Sequence, residues 1–270
     1  MRRIGYALIG AMGLGLWASA GLAATPGDFT IWTQVQDPAN ALMTGSTIAT
    51  QAALNAGNGA VPAGTDIGYQ TVNGTGVADS TQGFYFAKLQ SVSLAVDFAV
   101  SGSNQQGTLG IGFGIGEDSG GMNSAGVAMV IQNGSPLAYG AAARVNDVNQ
   151  PASILALGSS SGTLFVSYDA STGNVTVGES TTTGASSPAA SATYSGIEQQ
   201  WAGDDLLASF FLRSDGTLGT PWQGGTEQAV FSNFRVLSGT AEAVPEPGSL
   251  VLLLGGIALF ARRRRASKGL

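Results

Sequence analysis

The chain has no cysteine and no histidine. Without cysteine there is no disulfide, whichever compartment the protein enters, and no thiol nucleophile. Without histidine there is no Ser-His-Asp or Cys-His catalysis, no histidine-ligated zinc and no histidine pH switch. Basic residues are scarce too, 11 Lys and Arg against 17 Asp and Glu in 270 residues. Seven of the 11 lie at the ends: Arg2, Arg3, Arg262, Arg263, Arg264, Arg265 and Lys268. Residues 24–261 therefore keep only Lys88, Arg144, Arg213 and Arg235 against all 17 acids, a net charge of −13. Such a body excludes nucleic acid as a partner, because binding it requires a basic footprint. No internal repeat is present, which argues against a solenoid or propeller.

What the chain does have is glycine, 41 of 270 residues, in a background of Ser, Thr, Ala, Asn and Gln. Short alternating apolar runs lie between turn signals, the pattern of an all-β protein. Strands are expected at residues 29–35 (FTIWTQV), near Tyr69, and at 83–89, 92–100, 108–115, 126–132, 137–145, 163–168, 174–178, 206–213 and 229–237. Residues 37–57 are richer in alanine and read as a short helix or packed loop, and residues 180–192 as a surface loop. The DASTGN segment at 169–174 reads as a hairpin connection. About ten short strands with almost no helix imply an antiparallel β-sandwich. In residues 108–115, Leu109, Ile111, Phe113 and Ile115 share one face, while Gly110, Gly112 and Gly114 occupy the other. That second face is bare, so a backbone, a covering loop or a ligand must approach it closely.

The two ends are address segments. Met1-Arg2-Arg3, the apolar run 4–17 and the small residues through Ala23 form a secretory signal peptide. The other end carries Val244, Pro245, Glu246 and Pro247, an apolar stretch at 248–261, and then Arg262, Arg263, Arg264 and Arg265. The stretch makes a short transmembrane helix whose arginines snorkel to the headgroups and stay cytoplasmic, which places the body outside the inner membrane. Two prolines keep residues 244–247 extended and open to a processing enzyme. Residues 240–244 read as a short linker. The expected organisation is a signal peptide (1–23), a β-sandwich domain (24–239), and a linker plus sorting tail (240–270).

The order Pro245-Glu246-Pro247, short apolar helix, arginine cluster resembles the PEP-CTERM sorting signal of Gram-negative bacteria. The resemblance implies processing by an exosortase at the inner membrane, transfer to the cell surface or extracellular matrix, and association with exopolysaccharide and biofilm. It covers residues 243–265 and transfers a route, not an activity. The strand rhythm of residues 29–237 is similar to the concanavalin A-like lectin/glucanase jelly roll. The runs that carry this likeness are GIGFGIG at 110–116, GTLFVSYD at 162–169 and AVFSNFRV at 229–236.

Three chemistries make different demands on these residues. A glycosidase needs two carboxylates flanking one bond. The adjacent pairs Glu117-Asp118 and Asp204-Asp205 cannot supply them within a strand, because neighbours point to opposite faces. Catalysis is therefore not expected. Calcium takes six to eight oxygens, and Glu117, Asp118 and Asn123 in the loop GEDSGGMN form a partial set, the only cofactor expectation. Glycans stack on exposed aromatics. Trp222, in the turn-rich segment 219–225, and Trp201, just before Asp204-Asp205, are the candidate stacking residues. The expectation is a non-enzymatic surface or matrix protein that binds extracellular polysaccharide, with a purely structural or adhesive matrix protein as the alternative.

Overall fold

The computed structural model describes residues 25–217 and 219–245. The expected signal peptide, transmembrane helix and arginine cluster, together with Glu246 and Pro247, lie outside them. In chain order the strands are β1 (Thr33–Asp37), β2 (Met43–Ile48), β3 (Gln51–Ala56), β4 (Asp66–Gln70), β5 (Phe84–Tyr85) and β6 (Val92–Gln106). There follow β7 (Thr108–Gly116), β8 (Ser124–Gln132), β9 (Ser135–Val145), β10 (Val148–Asn149), β11 (Ser153–Leu157) and β12 (Ser161–Asp169). The last are β13 (Asn174–Ser180), β14 (Ala190–Tyr194), β15 (Leu207–Ser214), β16 (Gly224–Ser238) and β17 (Glu242–Ala243). Among the described residues the only helices are two short 3-10 turns, and none is long and apolar enough to cross a membrane.

The strands form two large antiparallel sheets. The first runs β1-β4-β15-β7-β8-β9-β10, with β11 also paired to β9. The second runs β14-β13-β12-β6-β16-β3-β2. Their facing sides bury one continuous core, as the period of two requires. Leu109, Ile111, Phe113 and Ile115 of β7 meet Leu94, Val96 and Phe98 of β6 and Leu164 and Val166 of β12 in this core. An aromatic cluster closes its centre. Phe210 stacks on Phe231 at 4.5 Å, and Trp32 lies 5.0 Å from both Phe210 and Phe234. Such pairs contribute roughly 1 kcal/mol each beyond the area they bury.

Local chemistry explains where the expected elements move. The strand expected at 29–35 begins instead with the turn Phe29–Ile31, because Asp28 accepts hydrogen bonds from the Thr30 amide (2.9 Å) and hydroxyl (2.6 Å) and caps it. The alanine-rich stretch 37–57 is a hairpin, β2 with β3, whose Ala52, Leu54 and Ala56 are buried in strict alternation. The 180–192 loop closes into the edge strand β14, whose Ala192 and Tyr194 pack on the core. The hairpin at 169–174 is present, with Asp169 paired to Asn174.

The linker expected at 240–244 is part of the fold. Glu242 and Ala243 form β17, paired with Tyr85 and Phe84 of β5. Val244 is buried against Val72 and Leu207. Ala241 also packs on the core, whereas Ala243 is exposed, so Ala241 and Val244 are the apolar residues that carry this docking.

Candidate functional site

The bare face of β7 is the floor of a groove on the outer side of the eight-stranded sheet. Strand register builds the floor. Gly112 and Gly114 lie beside Phe211 and Ser209 of β15 on one side, and beside Ala128 and Gly126 of β8 on the other. Gly140 and Ala142 of β9 extend it outward, and Gly68 and Gln70 of β4 extend it the other way. Small side chains over five adjacent strands leave a concavity of about 280 Å³. Phe211 is the one aromatic side chain of this face that reaches into the groove. Its half-buried ring fills the space a Cβ at Gly112 would need, so only glycine fits beneath it. At Gly110, on the same face of β7 but outside the lining of this concavity, a Cβ would meet nothing within 4 Å.

Charged side chains border the floor. Arg213 lies 3.5 Å from Asp66 across the β15–β4 pair. Burial pushes the Asp66 carboxyl up to about 6, against the opposing pull of Arg213. On the other rim, Arg144 of β9 pairs with the Asp147 carboxylate and donates to the Gly121 carbonyl (3.4 Å). Its Nε is buried without a hydrogen-bond partner. Loop 117–123 walls one end. It is held to the neighbouring loop by the Ser119 amide on the Thr75 carbonyl (2.7 Å) and by the Gly76–Asp118 bridge.

The calcium set is spent on this wall. Glu117 is buried, and its two oxygens accept from the amides of Ala202 (2.7 Å), Gly203 (2.6 Å) and Asp204 (2.8 Å) and from the Asn123 side chain (3.3 Å). Four donors fill the acceptor sites of one carboxylate. Burial still raises the Glu117 carboxyl above its ordinary range, with the amides opposing. Asp118 caps its own loop, accepting from the amides of Met122 and Asn123, both at 3.0 Å. The Asn123 side-chain Oδ1 accepts from the Asn146 amide at 2.7 Å. The three residues are neighbours, but as a loop clamp and not as an oxygen cage. Among the described residues no group of three or more His, Cys, Asp or Glu could hold a metal ion.

The two tryptophans are also corrected. Trp222 is 0% exposed and Trp201 7%, so neither can stack on a sugar. The 219–225 segment folds back over the end of the sandwich. There the Trp222 indole donates to the Gly57 carbonyl (2.8 Å) and the Trp222 amide to the Ser214 hydroxyl (3.0 Å). The Trp201 indole donates to the Arg144 carbonyl at 3.0 Å, under the groove rim. Turn-rich sequence reports the path of the backbone, not the direction of a side chain. The residues that do reach the groove, Phe211 and Arg213, were signalled only by alternation. In LASFFLRS, Phe210 and Leu212 enter the core, which leaves Phe211 and Arg213 on the other face.

Fold and site together define a two-sheet antiparallel β-sandwich with an open, small-residue groove on one outer face. Its other end is an address. Residues 243–265 match the model of the PEP-CTERM protein-sorting motif, so the C-terminus carries a PEP-CTERM sorting signal, which implies export and processing by an exosortase. Of the motif residues, Val244 is buried on the sandwich and Pro245 is exposed. No curated protein matches the chain. Among solved structures it is similar to a functionally unknown protein from Saccharomyces cerevisiae, with 13% identity, 77% of this chain and 97% of that chain covered and a TM-score of 0.47. It is also similar to a legume lectin-like domain from Entamoeba histolytica, with 8% identity, 78% and 91% covered and a TM-score of 0.45. A third similar structure is the β-glucanase of Bacillus licheniformis, with 13% identity, 80% and 92% covered and a TM-score of 0.42.

Proposed function

We propose that this is an exported, exosortase-sorted surface or matrix protein of a Gram-negative bacterium whose sandwich binds extracellular polysaccharide along the groove of the eight-stranded sheet, without chemical turnover. The observation that carries the reading is the floor itself. At each of two adjacent levels four of the five strands contribute glycine, alanine or serine, and the fifth residue is Phe211 at one level and Gln70 at the other. A flat apolar ring over a small-residue floor, bordered by Gln70, Ser209 and two arginines, offers a pyranose one stacking surface and several hydrogen-bonding groups. The groove carboxylates support a binding role over a hydrolytic one. Asp66 is paired with Arg213, and Asp118 is pinned by two amides.

The test is calorimetric titration of the purified body, residues 24–245, with polysaccharide isolated from the native host. Phe211→Ala is expected to weaken binding by about tenfold, the equivalent of about 1.4 kcal/mol. Equal binding by wild type and variant would remove the groove from the reading.

One observation favours the adhesive alternative. On the edge strand β11, Ile154 and Leu157 are 81% and 84% exposed, and residues 148–168 contain no charged side chain. An uncharged apolar edge on a body of strongly negative charge is where two copies approach with least repulsion. Concentration-dependent self-association that Ile154→Lys abolishes would support that reading.

A further inference from the structure

We infer that β17 is a positioning strand for sorting: the sandwich grips the residues just ahead of the PEP motif and delivers Pro245 to the processing enzyme from a fixed place on its surface. The inference rests on the sorting motif at 243–265. It goes beyond that motif by giving body residues far away in the chain a part in processing.

The grip has three independent components. Main-chain pairing sets Glu242 opposite Tyr85 and Ala243 opposite Phe84, and the Val244 amide donates to the Gly83 carbonyl at 3.1 Å. The Tyr85 hydroxyl donates to the Glu242 carboxylate at 2.9 Å, which fixes the register by side chains as well. Val244 then buries its side chain against Val72 and Leu207, with Val77 and Tyr85 packed around it. Leu207 belongs to β15 and lines the end of the groove, so the anchor point is a central strand and not a loose edge.

Among the described residues Val244 is the last that is buried, and Pro245, the first residue of the PEP triplet, is exposed. A free linker would let the motif sample many positions and orientations. A paired strand removes that freedom, and a membrane enzyme then meets an already oriented substrate. Only four residues lie between Pro245 and Leu250, where the apolar run begins, so five Cα-to-Cα steps join them. Their reach is at most about 18 Å. The face that carries β5 and β17 is therefore brought to the membrane with the motif, and the docking site sets which side of the sandwich the enzyme sees.

The experiment uses the full chain in its native host. The variant Glu242→Pro removes a ladder donor one residue before the matched motif and leaves residues 243–265 untouched. Val72→Asn weakens the receptor from the other side, more than 160 residues away in sequence. Hydrogen exchange at the Val244 amide verifies undocking in each purified protein, and a thermal melt verifies that the body is folded. Intact mass of the surface and membrane fractions then reads the processed fraction and the position of the new C-terminus. Positioning predicts a several-fold fall in processed protein for both variants, with the body still folded. Undocked variants processed as efficiently as wild type, at the same position, would overturn the inference while leaving the sorting signal intact. A wild-type protein that keeps its complete tail would overturn the sorting reading itself, and this inference with it.

Discussion

The two outer faces of the sandwich use the same residue to opposite ends. On the seven-stranded sheet, Gly178 lies beneath the loop that joins β13 to β14, and a Cβ there would come within 2.7 Å of Pro188. That loop is sealed by a buried carboxylate. Asp97 of β6 accepts from the Thr163 hydroxyl (2.7 Å), the Gly184 amide (3.1 Å), the Asn233 side chain (2.7 Å) and the Arg235 guanidinium (3.2 Å), and Arg235 also donates to the Ala185 carbonyl (3.0 Å). A bulge in β16 around Asn233, whose φ is 50°, lets Asn233 and Arg235 reach Asp97 while Phe231 and Phe234 both stay in the core. On the eight-stranded sheet a Cβ at Gly110 would meet nothing within 4 Å. A glycine row thus becomes a site only where no loop is built to fill it. On one face the ion pair of Asp97 and Arg235 seals a loop over the sheet, while on the other the pairs Arg213–Asp66 and Arg144–Asp147 stand at the rim and leave the floor between them uncovered.

The comparison breaks most sharply at Asp97. Asp97→Ala removes one partner of a buried ion pair and unseals the loop, with an expected cost of about 3 kcal/mol, or roughly 10 °C in Tm. Burial pushes the Asp97 carboxyl up, but bonds from Thr163, Asn233 and Gly184 and the Arg235 charge outweigh it and hold it below the usual range. Its stabilisation is therefore complete above the unfolded value near pH 4 and is lost as pH falls through the lower folded value. Acid melts of the wild type should show this loss, and those of the variant should not. A smaller effect sharpens the other face. Ala142→Leu adds bulk at an exposed position that lines the groove, so stability should change by no more than about 0.5 kcal/mol, while polysaccharide retention falls by more than tenfold. A variant that melts as wild type and still binds would place the ligand elsewhere. The smallest effect is at Asp66. Its carboxyl is raised to about 6, so it favours the folded state below the unfolded value near 4, and this contribution is lost as pH rises through 6. Asp66→Asn should abolish that slope of Tm against pH and gain about 1 kcal/mol at pH 7, a figure discounted for a side chain still 30% exposed.

The all-β sandwich was legible because its central strands alternate strongly. Residues 108–115 and 163–168 appear within β7 and β12, and the apolar face read in 108–115 points inward. Strands whose buried positions are alanine were not legible. β3 buries Ala52 and Ala56 and β14 packs a partly buried Ala192 on the core, a residue with no preference for strands, and only their partners show which face is covered. The groove was half legible. The bare glycine face of β7 was visible in sequence, but what borders it comes from strand order, which brings β15 and β4 beside β7 from distant parts of the chain. The tryptophans misled for a related reason. Polar, glycine-rich surroundings describe the local backbone, whereas burial of Trp222 depends on a carbonyl at Gly57, 165 residues earlier.

The Trp201 hydrogen bond gives the molecule an optical gauge. The indole holds the carbonyl of Arg144, the residue whose side chain borders the groove, and the segment that follows it is riveted to loop 117–123 through Glu117. The fluorophore is shielded from solvent and from any polymer in the groove. A change in its emission would therefore report movement of the rim rather than contact with a sugar. With Trp32 and Trp222 replaced by Phe, Trp201 is the one indole of residues 25–245, and the occupancy proposed for the open face would be read from a chromophore on its underside.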